Sequence, residues 1–124
     1  MAKDKWRVSA TYFKEFKKAF IHYRNLFGLM QYRIDFLQED IGDRYAEIRI
    51  SESQKICEAV LNTHLYADIV KRDEGPVSHA RHECIHLLLN RLSWLGKCRY
   101  VCDGDIEEEE EALTVILTRV IACL

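Results

Sequence analysis

Five aromatic residues, Phe13, Phe16, Phe20, Tyr23 and Phe27, recur at steps of three and four positions. Lys14, Lys17, Lys18 and Arg24 fill much of the space between them. This spacing keeps one stripe of a helix apolar, so residues 9–27 are predicted to form an amphipathic helix that stops at Gly28. A single apolar stripe is what a core-facing helix needs, so packing on a sheet is preferred to lying on a membrane. From residue 31 to about 68 the period changes to two. Tyr32, Ile34 and Phe36 alternate with Arg33, Asp35 and Leu37, and Ala46, Ile48 and Ile50 alternate with Glu47 and Arg49. These are patterns of half-buried strands. The link Glu39-Asp40-Ile41-Gly42-Asp43 has hairpin-loop chemistry. Residues 56–61 read as a third strand or a short helix, with the strand preferred, and 64–70 as a further short extended piece.

Arg72-Asp73-Glu74-Gly75-Pro76 interrupts that pattern. Pro76 suits the first turn of a helix, and Ser78 is an alternative cap. The helix is expected to run to about Leu95, with Leu87, Leu88, Leu92 and Leu95 buried and Gly96 as its stop. A last helix is expected from about Asp105, capped by Asp105 and Glu108, with Ile106, Leu113, Ile116, Leu117, Val120 and Leu124 as its apolar positions. The expected architecture is one α+β domain over residues 1–124. It comprises an N-terminal helix, a three- to four-stranded, mostly antiparallel β-meander, and two helices.

Composition narrows the function. The net charge of −2 gives no general attraction for nucleic acid or an acidic membrane surface. No apolar run has the length of a membrane span, and the charged start lacks the apolar core of a signal peptide. Cys57, Cys84, Cys98, Cys102 and Cys123 are odd in number and show no scaffold spacing. Reduced thiols and a cytoplasmic setting follow as expectations. Cys98-x-x-x-Cys102 lacks a nearby second pair with zinc-finger spacing, so small buried hydrophobes are the preferred reading.

The chemistry concentrates in His82-Glu83-Cys84-Ile85-His86. Residues four apart on a helix stand one above the other, so His82 and His86 could offer two imidazole nitrogens to one Zn2+. Glu83 beside them could act as the base for a water on that ion. A chance match in a chain of this composition occurs on the order of one or two times in a hundred. Ala80, Cys84, Ile85, Leu87 and Leu88 put no charge at the buried positions around it.

Zinc hydrolysis needs a further ligand and one open position. The run from Glu107 to Glu111 opens the last helix, and a charge run is most simply a solvated face. Five consecutive residues cannot all face outward. Extending a stripe centred on Ile106, Leu113 and Leu117 back at about 100° per residue places Glu109 and Glu110 on either side of its centre. Glu110 is preferred and Glu109 is the alternative.

The element order, the segment His82-Glu83-Cys84-Ile85-His86-Leu87-Leu88-Leu89 and the later Glu-Glu-Ala-Leu stretch resemble the small zinc metallopeptidase-like proteins of phages and prophages. These are a minimal version of the thermolysin-type (gluzincin) core. The resemblance implies His82, His86 and Glu109 or Glu110 as zinc ligands and Glu83 as general base. It also implies a peptide or protein substrate and, for a phage-encoded chain, the host cytoplasm. Thermolysin-type enzymes carry an Asp four residues after the ligand Glu, where this chain has Leu113 or Thr114.

His79 stands three residues before His82 and reads as an extra ligand, a substrate contact or a surface residue. Arg81, His64, Tyr66 and Tyr100 are possible oxyanion stabilisers. Trp6 and Trp94 read as packing residues. A second function class stays open beside the peptidase, a non-catalytic zinc-binding or regulatory interaction module on the same scaffold. A third reading is an accidental motif with both His satisfied in a core.

Overall fold

A computed structural model describes residues 5–66, 75–98, 100 and 102–122 of the chain. Short strand β1 (Lys5–Arg7) precedes helix α1 (Ala10–Leu26). Strands β2 (Arg33–Glu39), β3 (Ala46–Ser51), β4 (Ile56–Asn62) and β5 (His64–Tyr66) follow, then helices α2 (Pro76–Lys97) and α3 (Asp103–Ala122). The α+β class holds. The remainder of the extended piece expected over 64–70, and most of the break before Pro76, lie outside the described residues.

The sheet is not a meander. Its order is β2-β4-β3, with β2 parallel and β3 antiparallel to β4. The link after Glu39 therefore does not close a hairpin but crosses the end of β4. Its turn chemistry is as expected, since Gly42 adopts φ +75° and donates its N–H to Asp40 Oδ1 at 3.1 Å. The pairing differs because β4 is the strand with the most to bury. Cys57, Ala59, Val60, Leu61 and Asn62 are all buried, which suits a centre, whereas the charged outer positions of β2 and β3 suit edges. A separate two-stranded ribbon pairs β1 with β5.

Helix α1 follows its pattern closely. The Ser9 side chain accepts from Tyr12 N–H at 3.1 Å, and Gly28 at φ +71° ends the element. Phe16 and Phe20 are fully buried and meet the Phe36 ring on β2 edge-on at 6.4 and 5.7 Å. Each such ring contributes roughly 1.5–3 kcal/mol by leaving water. Across α1 lies α2, which buries Ala80, Cys84, Leu87 and Leu88. Pro76 opens α2 behind Gly75, so Ser78 is not its cap. Gly96 lies inside the helix, which continues to Lys97, because neighbouring residues favour the helix enough to absorb one Gly.

Helix α3 starts two residues before the expected Asp105. That Asp reaches back to accept from Cys102 N–H at 3.2 Å, so it caps from inside the first turn. Its inward stripe also differs from the expected one. Leu113 is buried and Ile116 and Val120 pack on the core, while Leu117 is 42 % exposed. No helix among the described residues is long and apolar enough to cross a membrane. Cys57 and Cys84 are buried free thiols, each pushed up to about 12 by burial first. Cys98 and Cys102 are also unpaired, and Cys123 lies outside the described residues.

Candidate metal centre

The buried side of α2 is set by Ala80, Cys84, Leu87 and Leu88, which lie against α1 and the sheet. Helical phase then places His82 and His86 together at the solvent side, one turn apart. Their Nε2 atoms converge to 3.2 Å. At that distance one imidazole N–H can donate to the other ring, and the spacing also lies close to the roughly 3.3 Å between two nitrogens about 2.05 Å from a tetrahedral ion. The rings meet edge-on, with centroids 4.8 Å apart.

Glu83 points the other way, into the fold, and is 5 % exposed. Burial, and then the like charge of Glu47, push its carboxyl up from 4.5 to about 7. Glu47 belongs to edge strand β3 and is tied to Arg44 at 3.1 Å and Arg49 at 3.2 Å. A cleft of about 460 Å³ runs between β3 and α2, and its walls include Glu47, Ile48 and Ile50 on one side and Glu83, His86 and Asn90 on the other. The buried motif carboxyl thus shares one wall of this cleft with His86. Burial there favours the protonated carboxyl in the metal-free protein.

Asn90 is anchored from behind. It donates to Glu52 Oε2 at 2.8 Å, the same oxygen that accepts from Tyr32 O–H at 2.7 Å. Lys55 pairs with the other carboxylate oxygen, and Arg91 approaches it at 3.6 Å. This network ties the β3–β4 turn to α2 and fixes the far end of the cleft.

The remaining sequence-predicted residues separate clearly. His79 is 2 % exposed and lies against the Tyr45 ring at 4.0 Å, so it faces the loop before β3. On α3, Glu109 is half-buried and Glu110 is exposed. Glu109 continues the inward stripe of Leu113, Ile116 and Val120, so facing favours Glu109 over the preferred Glu110. Leu113 is the residue that turns the helix this way, and a stripe drawn through the exposed Leu117 misplaced the phase. Among the described residues, no group of three His, Cys, Asp or Glu side chains is close enough to hold an ion. Arg81 lies over the Tyr23 ring of α1 at 6.0 Å, and His64, which opens β5, has its Nδ1 3.0 Å from Oγ1 of the preceding Thr63. Tyr100 is 88 % exposed, and the Tyr66 side chain lies outside what is described. Trp6 packs edge-on against Tyr12 at 5.8 Å, as expected, whereas Trp94 is 43 % exposed beneath Arg91.

Sequence reasoning passed over Glu47, Tyr45, Asn62 and Asn90. Glu47 read only as the outward half of an alternation. Its place beside Glu83 depends on β3 being an edge strand next to α2, which no local pattern encodes. No protein-family model, curated protein or solved structure matches this chain.

Proposed function

We propose that this chain is a zinc-dependent metallopeptidase that hydrolyses peptide bonds in a peptide or protein substrate. The observation that carries this reading is the convergence of the His82 and His86 Nε2 atoms to 3.2 Å, with a buried Glu83 sharing a cleft wall with His86. His82 and His86 would hold the ion together with Glu109, or with Glu110 as the alternative. Bound zinc would supply a Lewis acid for the scissile carbonyl and would acidify a water.

Glu83 is the general base in this reading. Its carboxylate takes the proton of the attacking water and passes it to the leaving amine nitrogen. Burial raises this carboxyl in the metal-free protein, and a bound cation would lower it again toward the ionised form that a base needs. The cleft between β3 and α2 would receive the substrate, with Ile48 and Ile50 giving it an apolar wall. The unpaired cysteines and slight negative charge accord with a cytoplasmic protein that acts on protein rather than nucleic acid, in a host cytoplasm if the chain is phage-encoded.

The deciding experiment compares wild type with Glu83→Gln. Both should bind one zinc by elemental analysis, and only wild type should cleave an unbiased peptide library. Equal turnover by the two proteins would overturn the assignment of the base. A second reading, a zinc-binding or regulatory interaction module without turnover, is favoured by the lack of a third metal-binding side chain beside the His pair among the described residues. Stoichiometric zinc with no cleavage of the library by wild type would select it.

A further inference from the structure

Strand β2 is one of the two edges of the main sheet. Its pairing with β4 runs unbroken from Arg33 to Glu39, and among the described residues no strand lies on its other side. The opposite edge differs, because α2 stands beside β3 across the cleft. Proteins guard a free edge with a Lys, a Pro, a bulge or a very short strand. β2 has seven residues, neither Lys nor Pro among them, and a register without a bulge.

The hydrogen bonds of β2 show which of its groups face outward. Arg33 N–H donates to Lys55 O at 2.8 Å, and Glu39 O accepts from Thr63 N–H at 3.1 Å. The N–H and C=O of one strand residue point to the same side, and those of the next residue to the other. Arg33, Asp35, Leu37 and Glu39 therefore turn toward β4, and Ile34, Phe36 and Gln38 turn their backbone groups to the free side. The Phe36 ring meets Phe16 and Phe20 of α1 but is only half-buried, as is Ile34 on the same face.

We propose that this edge pairs with itself, joining two copies of the chain through antiparallel β2 strands about a two-fold axis at Phe36. Charge selects the register. An axis at Asp35 would set that carboxylate opposite its own copy, and an axis at Leu37 would set Asp35 opposite Glu39; both are like-charge pairs, which weaken a ladder. An axis at Phe36 pairs the whole strand. It sets Arg33 opposite Glu39 of the second copy at both ends, Asp35 opposite Leu37, Ile34 opposite Gln38, and Phe36 opposite its own copy. Opposite charges and aromatic rings directly across a ladder stabilise it. Arg33 and Glu39 can keep their present partners, Asp35 at 2.9 Å and Arg49 at 2.6 Å, and extend them into a network. The outward groups of Ile34, Phe36 and Gln38 form the hydrogen-bonded pairs, and each pair exchanges two bonds. The contact is isologous, so it closes at two copies. The joined sheet runs β3-β4-β2-β2-β4-β3 and leaves the cleft beside each β3 open at its far edges. None of this depends on the zinc reading.

The test follows the full chain by sedimentation equilibrium up to near-millimolar protein. It compares wild type with Arg33→Glu, Glu39→Arg, an equimolar mixture of those two variants, and Gln38→Pro. Wild type should show a reversible monomer–dimer equilibrium. Each charge variant alone sets like charges across both ends and should weaken association about tenfold or more. The mixture restores opposite charges at both ends, so it should associate as wild type does. Gln38→Pro removes an outward N–H without touching the β4 ladder and should also weaken association. Circular dichroism and thermal unfolding identify which variants are folded. In wild type, NMR hydrogen exchange at the Ile34, Phe36 and Gln38 amides should slow as concentration rises, while exchange along β3 does not change.

A wild-type chain that stays monomeric throughout the range would overturn the proposal. So would a dimer that the folded charge variants leave unchanged, or a mixture of folded variants that stays as weak as its components. Where a variant does not fold, the exchange rates decide. Unchanged Phe36 exchange at concentrations where wild type is dimeric would place the contact elsewhere and overturn the pairing.

Discussion

Replacing Glu83 with Gln should change how stability depends on pH in the metal-free protein. Burial first, and the Glu47 charge second, raise this carboxyl from its ordinary 4.5 to about 7. The fold therefore favours the protonated form. Below the unfolded value both states carry the proton and nothing is lost. As pH rises through the folded value, the unfolded chain gains from ionising and the native state is penalised. A difference of about 2.5 pH units, at about 1.36 kcal/mol each, gives a penalty of about 0.8 kcal/mol at pH 5 and about 3.4 kcal/mol at pH 8.5. Water reaching the cleft wall screens part of this, so a measured change of roughly 1–2 kcal/mol between those pH values is the expectation. Glu83→Gln removes the ionisation while keeping shape. The assay is urea unfolding of both proteins in chelator-containing buffer across the range, with equal m-values checked first. Other titrating groups are common to the two proteins and cancel in the difference. Wild type should lose stability relative to the variant as pH rises. Parallel stability curves would refute a buried, raised Glu83 carboxyl.

Four further outcomes follow from the structure. Glu109→Ala should weaken zinc binding tenfold or more while Glu110→Ala leaves it nearly unchanged, by chelator competition; the reverse pattern would return the ligand to Glu110. Phe20→Ala should cost about 3–5 kcal/mol in denaturant unfolding, because its fully buried ring meets both Phe16 and Phe36. Glu52 is drawn upward by burial, but the Lys55 and Tyr32 hydrogen bonds and the Lys55 and Arg91 charges more than offset this and hold it below 4.5. Its contribution is therefore present above 4.5 and lost as pH falls through the folded value, and Glu52→Gln should flatten the acid limb of the melting-temperature profile. Cys57 and Cys84 should resist iodoacetamide in the native protein at pH 8 and react after unfolding, as read by mass spectrometry, because burial keeps both as thiols.

Local pattern carried the elements and the imidazole pair. The Phe13-to-Phe27 spacing, Ser9 and Gly28 suffice for α1, and the period-two stretches suffice for β2 and β3. Because four residues make about one helical turn, His82 and His86 were bound to meet once the segment was helical, wherever the helix packed. Pairing, facing and depth were decided elsewhere. Whether β3 joins β2 or β4 depends on which strand buries most, and β4 won that competition with both faces. Which Glu of the acidic run turns inward depends on how α3 seats Leu113, Ile116 and Val120, a choice among helix rotations that periodicity alone left nearly degenerate. Glu47 beside Glu83, and Tyr45 against His82, come from segments dozens of positions apart. A sequence determines contacts within a turn or a pleat because backbone geometry repeats there. The surroundings of Glu83 and His82 were settled only when separate apolar faces competed for one core, and that competition is a property of the whole chain.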